Sequence, residues 1–166
     1  MIIQQAIKKG SILLGSGKTK TKALDSELIL SNLLNIKREQ LLLFEHQKLD
    51  DDLYNKFISL IEKRSKNLPI SYIVNKKEFW SLDFEVDKYT LIPRPETELM
   101  VEWLAKHGKR QAKILDIGTG SGCIIISLLK ELKLARGTGV DICPKAISVA
   151  KRNARTHEIA NRVKFF

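Results

Sequence analysis

The chain has 166 residues, of which 43% are hydrophobic, and a formal net charge of +10; these values allow a packed core in one domain or two small ones. No stretch approaches 18 uninterrupted apolar residues, and the first residues show no charged region with a cleavage site, so we expect no membrane span, no secretory signal and a cytoplasmic location. The positive charge is typical of nucleic-acid-binding proteins, but the lysines form no arginine-rich stripe, so nucleic-acid contact and an ordinary solvated surface stay equal alternatives.

Helical periodicity dominates the first 70 residues. The pattern predicts helices over residues 2–14, 23–35 and 37–44; residues 15–17 end the first helix, and a polar loop at residues 18–22 follows it. Three acids at residues 50–52 then precede a further amphipathic helix. We therefore expect a small helical bundle that carries no chemistry of its own.

The pattern changes at Lys77. Residues 78–80 and 82–86 alternate apolar and polar side chains, with Ser81 between them at a turn or bulge, which predicts two strands. Two prolines, Pro93 and Pro95, then hold the segment around Arg94 extended. A helix is predicted at residues 96–107, with acids in its first turn. The residues of the proline segment are equally typical of a rigid connector between domains, which is the alternative to a functional role.

Residues 113–122 read Lys-Ile-Leu-Asp-Ile-Gly-Thr-Gly-Ser-Gly, and an apolar stretch follows them. Strand, glycine turn and helix in this order open a nucleotide-binding βαβ unit. Glycine permits a positive φ and a close ligand approach, and the helix N-terminus offers free N–H groups. A second strand is predicted at residues 137–141; it ends in Asp141, about 20 residues beyond the loop, where a ribose diol needs an acceptor.

The spacing of the glycines separates two kinds of nucleotide site. The third glycine, Gly122, comes one residue earlier than the dinucleotide fingerprint requires, and Cys123 stands in that place. The pattern Asp-x-Gly-x-Gly-x-Gly resembles the first motif of S-adenosylmethionine (SAM) methyltransferases, in which Asp116 would meet the ammonium group of the methionine moiety. A glycine-rich surface turn is the alternative. Cys123 and Cys143 lack metal-ligand spacing, so we expect them to be packing residues without a disulfide.

Several segments together resemble the HemK/PrmC methyltransferases, which transfer a methyl group from SAM to the side-chain amide of the glutamine in the Gly-Gly-Gln motif of peptide-chain release factors. The resemblance runs from about Asp25 to Phe166. Its most specific feature is the sequence Ile-Pro-Arg-Pro-Glu-Thr-Glu at residues 92–98. The other matching positions are residues 69–73, residues 78–80, Leu91, residues 116–122, residues 140–142, Pro144, Ala146 and Ala150.

The resemblance implies an α/β fold with three parts. An N-terminal helical bundle at residues 1–75 would recognise the release factor, residues 76–92 would form a short β-hairpin linker, and residues 93–166 would form the first half of a Rossmann-like SAM-dependent methyltransferase domain. Asp141 would hold the ribose hydroxyls of SAM. The other cofactor-binding positions implied are Gly118, Thr119, Gly120, Ser121, Gly122, Asp116 and Ile142, with Arg94, Glu96 and Thr97 bordering the pocket.

One departure from the family limits this expectation. The family's reaction uses an Asn-Pro-Pro-Tyr motif that holds the acceptor amide in line with the methyl group, which is catalysis mainly by positioning. Nothing in this chain matches that motif, and residues 163–166 look like the start of a third strand. We therefore expect an N-terminal portion that is inactive alone. Two alternatives remain: a parent enzyme that methylates an exocyclic amine of a nucleic-acid base, or a non-catalytic fragment that docks release factor.

Overall fold

The computed structural model describes residues 1–16 and 20–166. The chain divides into two compact units, residues 1–74 and residues 75–166. The helix end predicted at residues 15–17 and the polar loop predicted at residues 18–22 fall partly on residues 17–19, which lie outside the described residues. No described helix combines the length and the apolar character that a membrane crossing requires.

The first unit is helical. Its elements are α1 (Ile3–Leu13), a 3₁₀ turn (Leu14–Ser16), α2 (Lys22–Leu34), a 3₁₀ segment (Arg38–Phe44), α3 (Asp51–Ser65) and the short α4 (Ile70–Ile73). The acid run starts α3 as predicted, because Asp50 accepts a hydrogen bond from the backbone N–H of Leu53 at 2.7 Å. Residues 37–44, predicted as helical, adopt the tighter 3₁₀ form.

The helices of this first unit close around an apolar core and one buried ion pair. Fully buried Phe57 and Ile61 from α3 pack against Ile29 and Leu30 from α2. The Nε of Arg64 lies 2.7 Å from a carboxylate oxygen of Asp25, whose side chain is only 4% exposed. Helices α2 and α3 are therefore joined by both apolar packing and a shielded charge pair.

The second unit begins with the predicted hairpin. Strands β1 (Lys76–Phe79) and β2 (Leu82–Glu85) are antiparallel, and Phe79 pairs with Leu82. Trp80 and Ser81 form the turn with φ angles of +55° and +54°, a geometry that usually selects glycine or asparagine. Trp80, predicted as a strand residue, is therefore a turn residue. Its backbone N–H donates to Oε1 of Glu98 at 2.8 Å.

A parallel three-stranded sheet forms the rest of the second unit. The strands lie in the order β3 (Lys113–Ile117), β4 (Arg136–Val140) and β5 (Val163–Phe165). The connecting helices are α6 (Cys123–Glu131) and α7 (Pro144–Thr156), and α5 (Glu98–His107) precedes β3 after a 3₁₀ turn at Pro95–Thr97. The predicted α/β class is confirmed, as a helical bundle followed by a partial Rossmann-like sheet.

The two faces of this sheet differ in character. On the α6 side, β4 presents glycine: a Cβ at Gly137 would lie 2.6 Å from Cδ1 of Ile125, so the absence of a side chain lets α6 approach closely. On the opposite face, Leu115 and Ile117 of β3 are 62% and 78% exposed. The apolar core of this unit therefore lies between the sheet and its helices, and one face of β3 remains open.

Candidate cofactor-binding site

The glycine turn joins β3 to α6, and its three glycines serve different purposes. Gly118, Gly120 and Gly122 have φ angles of +75°, +55° and +79°, which side chains with a Cβ rarely adopt. A Cβ at Gly118 or Gly120 would meet no atom within 4 Å, whereas one at Gly122 would lie 3.0 Å from Cδ1 of Ile126. The first two glycines thus face open space, and the third lets the start of α6 pack.

Backbone hydrogen bonds hold the turn against the end of β4. The N–H groups of Gly118 and Thr119 both donate to the carbonyl oxygen of Val140, at 2.8 and 3.0 Å. The N–H of Gly122 donates to the carbonyl oxygen of Thr119 at 2.8 Å. These bonds keep the turn formed without a ligand, so a ligand would meet a preorganised surface.

Asp141 follows β4 and reaches into the same turn. One carboxylate oxygen, Oδ2, accepts from the N–H of Gly120 at 2.8 Å, and the other, Oδ1, accepts from the N–H of Cys143 at 2.9 Å. An ionised carboxylate offers about four lone-pair sites. Asp141 therefore shapes the turn and still retains acceptor capacity for a pair of hydroxyl groups.

A second carboxylate, Asp116, lies at the end of β3. Its Oδ2 accepts a hydrogen bond from Oγ1 of Thr119 at 2.7 Å. Burial raises the pKa of Asp116, the bond from Thr119 opposes that rise, and the negative charge of Asp141 adds to it. A positively charged ligand group beside Asp116 would therefore favour the ionised form of this carboxyl group.

Three further predicted site residues lie in the glycine turn or next to Asp141. Ile142 directly follows Asp141 and is completely exposed, so its side chain is available to an apolar ligand group, whereas Thr119 and Ser121 are 5% and 2% exposed. The structure therefore brings together residues 116, 118–122, 141 and 142.

The 3₁₀ turn of the proline segment is not joined to that group. Arg94 and Glu96 are exposed, and Thr97 is half-buried. Within the described ranges, no hydrogen bond or ion pair connects these three residues to the glycine turn or to Asp141. Their predicted place at the border of the pocket stays a prediction.

Sequence reasoning did not identify Asn153, a residue of α7 that is 2% exposed. Its Oδ1 accepts from the N–H of Glu85 at 2.8 Å, and its Nδ2 donates to the carbonyl oxygens of Glu85 and Ser121 at 3.0 and 2.9 Å. Asn153 thus links α7 to the glycine turn through the carbonyl oxygen of Ser121. The available signal was a polar residue at helical spacing from buried Ala146 and Ala150.

The two cysteines are unpaired, as expected. Burial raises the pKa of the Cys123 thiol to about 11, so this thiol stays protonated near neutral pH. Cys143 is half-buried. Throughout residues 1–16 and 20–166, no group of three or more His, Cys, Asp or Glu side chains is arranged to hold a metal ion.

Comparison with known families matches both units of the chain. Residues 5–74 match the family described as the PrmC N-terminal domain. Residues 94–166 match the family described as ribosomal protein L11 methyltransferase (PrmA). The hairpin and the first part of the proline segment lie between the two matches.

Curated relatives match most of the chain. It is 37% identical over 145 residues to the release factor glutamine methyltransferase of Coxiella burnetii, covering 86% of this chain and 52% of that protein. The enzyme of the same name from Chlorobaculum tepidum is 40% identical over 149 residues, covering 86% and 51%. A bifunctional methyltransferase of Rickettsia felis is 33% identical over 190 residues, covering 97% and 36%.

Solved structures share a smaller part. A SAM-dependent methyltransferase from Geobacter sulfurreducens, in complex with S-adenosyl-L-homocysteine, gives a TM-score of 0.40 at 24% identity and covers 47% of this chain and 30% of that one. The chain spans about half the length of the release factor glutamine methyltransferases that it matches. By its PrmC N-terminal domain and its identity to these relatives over most of its length, the chain belongs to the HemK/PrmC family.

Proposed function

We propose that the glycine turn and Asp141 bind SAM, and that the protein to which this chain belongs methylates the glutamine side-chain amide in the Gly-Gly-Gln motif of release factors. The observation that carries the proposal is the hydrogen bond between Asp141 and Gly120. It holds a carboxylate that can accept further hydrogen bonds beside two glycines that face open space. The names of the curated relatives support the substrate.

Each part of the site fits a part of SAM. The carboxylate of Asp141 suits the two ribose hydroxyls, since a charged acceptor makes stronger hydrogen bonds than a neutral one. Asp116 suits the ammonium group of the methionine moiety, whose charge would offset the raised pKa of that acid. The exposed side chain of Ile142 offers an apolar surface to the adenine ring. When bound, SAM supplies an electrophilic methyl group on a sulfonium.

We propose that the helical part predicted at residues 1–75 recognises the release factor, that residues 76–92 are a linker, and that residues 93–166 belong to the methyltransferase domain. The first unit exposes apolar side chains on its 3₁₀ segment, where Leu42 and Leu43 are 75% and 78% exposed. Adjacent exposed apolar residues of this kind suit a protein partner. We place the activity in the cytoplasm, where release factors act on ribosomes.

Two measurements test the proposal. Calorimetric titration of SAM into the chain should show saturable binding, and no heat of binding at any concentration would contradict the cofactor assignment. Labelled SAM and a purified release factor test the substrate in the full-length protein. Label should enter the factor and should be absent when the glutamine of its Gly-Gly-Gln motif is replaced by alanine. Label that enters RNA or DNA instead would favour methylation of a nucleic-acid base.

A further inference from the structure

Asn153 joins three segments of the second unit that are far apart in sequence. Its Oδ1 accepts a hydrogen bond from the backbone N–H of Glu85, at the end of β2. Its Nδ2 donates a hydrogen bond to the carbonyl oxygen of the same residue. Its second N–H donates to the carbonyl oxygen of Ser121, in the glycine turn. Both amide hydrogens are therefore used, and one side chain on α7 ties the hairpin to the turn.

The position of the Ser121 carbonyl matters because this residue stands between Gly120 and Gly122. On one side the turn is held by Val140 and Asp141 through the N–H groups of residues 118–120. On the other side, the bond from Asn153 fixes the plane of the peptide that follows Ser121. At 2% exposure, Asn153 offers little room for water to replace the amide.

We propose that Asn153 is a positioning residue for the cofactor turn: through the Ser121 carbonyl it holds residues 120–122 in the conformation that receives the ligand, and through Glu85 it anchors that conformation to the hairpin. The proposal rests on the proposed cofactor site, because SAM is the ligand to which the turn would be fitted. Ligand affinity would then depend on a residue of α7 that lies outside the glycine turn and is neither of the two acids.

The neighbouring residue provides a matched control. Arg152 makes two hydrogen bonds to the carboxylate of Glu85, at 2.8 and 2.7 Å. Among the described residues, no hydrogen bond joins Arg152 to the glycine turn. Arg152→Met therefore removes an anchor between α7 and the hairpin without touching Ser121. Asn153→Asp keeps nearly the same shape and the acceptor for the N–H of Glu85, but replaces both N–H donors with a carboxylate that faces two carbonyl oxygens.

The first experiment measures SAM affinity by calorimetry. Asn153→Asp should bind SAM about tenfold more weakly than the wild type near neutral pH, because a buried hydrogen bond to the turn is lost. Arg152→Met should bind like the wild type. Equal losses in the two variants, or wild-type affinity in folded Asn153→Asp, would overturn the proposal.

The second experiment separates this proposal from the proposed function, because it needs no SAM. Amide hydrogen exchange at Gly122, whose N–H donates within the turn, should speed up by about tenfold in Asn153→Asp and stay unchanged in Arg152→Met. Asn153→Ala serves as a second variant that adds no charge if Asn153→Asp fails to fold. An exchange rate at Gly122 equal to that of the wild type in both Asn153 variants would refute the positioning role. A wild-type chain that does not bind SAM would refute only the cofactor assignment.

Discussion

The carboxylate of Asp141 accepts a hydrogen bond from the backbone N–H of Gly120 at 2.8 Å, across 21 residues of sequence. The contact connects the end of β4 with the turn that follows β3, so the acid and the glycines form one site. The carboxylate also accepts from the N–H of Cys143. Two backbone N–H groups therefore fix the orientation of this carboxylate.

Replacing Asp141 should weaken SAM binding. Asp141→Asn keeps the size of the side chain but exchanges a charged acceptor of the ribose hydroxyls for a neutral amide, a change worth about 1.5–3 kcal/mol. Calorimetry should show affinity lower by about tenfold or more. Asp83→Asn, which removes an exposed acid paired with Lys76 on the hairpin, is the control and should bind normally. Unchanged affinity in Asp141→Asn would exclude it as the ribose acceptor.

Alanine at Gly122 should mainly lower the stability of the chain, whereas alanine at Gly120 should mainly lower its affinity for SAM. Gly122→Ala combines a positive φ with a contact of 3.0 Å to Ile126, so we expect the free energy of unfolding to fall by about 1–3 kcal/mol. Gly120→Ala places its Cβ in open space, so its cost is nearer the lower end, about 1 kcal/mol, while SAM affinity drops sharply. Chemical denaturation and calorimetry measure the two effects; equal destabilisation with unchanged affinity would contradict the division of roles.

The pH dependence of stability should reveal Asp116. Its pKa in the folded chain lies above the ordinary value of 3.8, chiefly because of burial. The free energy of unfolding therefore includes a contribution from protonated Asp116, which is fully present below pH 3.8. This contribution is lost as the pH rises through the pKa of Asp116 in the folded chain. Asp116→Asn can still accept the hydrogen bond from Thr119, so it should be more stable than the wild type near neutral pH and similar to it in acid.

The same variant should bind SAM more weakly, because it lacks the charge that faces the ammonium group. Denaturant melts at several pH values, paired with calorimetry, test both statements. A wild-type chain that is more stable than Asp116→Asn near neutral pH would show that the carboxylate is better compensated than its raised pKa indicates.

The two thiols should differ in reactivity. Cys123 is 9% exposed and its pKa is raised to about 11 by burial, whereas Cys143 is half-buried. Because the thiolate is the reactive form, a maleimide should label Cys143 first and Cys123 only on unfolding. Mass spectrometry of the digested product gives the site. Early labelling of Cys123 would mean that the start of α6 opens readily in the native state.

The sequence patterns predicted some elements more completely than others, for physical reasons. The helix predicted at residues 96–107 is observed as a 3₁₀ turn at Pro95–Thr97 followed by α5 at Glu98–His107, because proline favours a helix start and acids stand in the first turn. Helix α4, with four residues at Ile70–Ile73, is too short for periodicity to show. The turn at Trp80 and Ser81 lacks the residues that mark such turns. The contacts of Asn153 with Glu85 cross 68 residues, which no local pattern reports.

The open edge of β3 should make a solution of this 166-residue chain prone to self-association. Among the described strands, β3 pairs only with β4, and Leu115 and Ile117 on its open face are more than half exposed. Unpaired edges with apolar side chains template pairing with another chain. Sedimentation should show concentration-dependent oligomers that Ile117→Lys reduces. A monomeric sample in which residues 114–117 are strongly protected from hydrogen exchange would contradict this expectation.

The most direct test of the cofactor site is nuclear magnetic resonance of the ¹⁵N-labelled chain during titration with SAM. We expect saturable shifts of the amide signals of Gly118, Gly120 and Ile142, which lie in the turn or next to Asp141, and unchanged signals across residues 1–74. Signals that do not move at saturating SAM would contradict this prediction. So would shifts confined to the basic groove beside β5 that is lined by Lys151, Arg155 and Lys164.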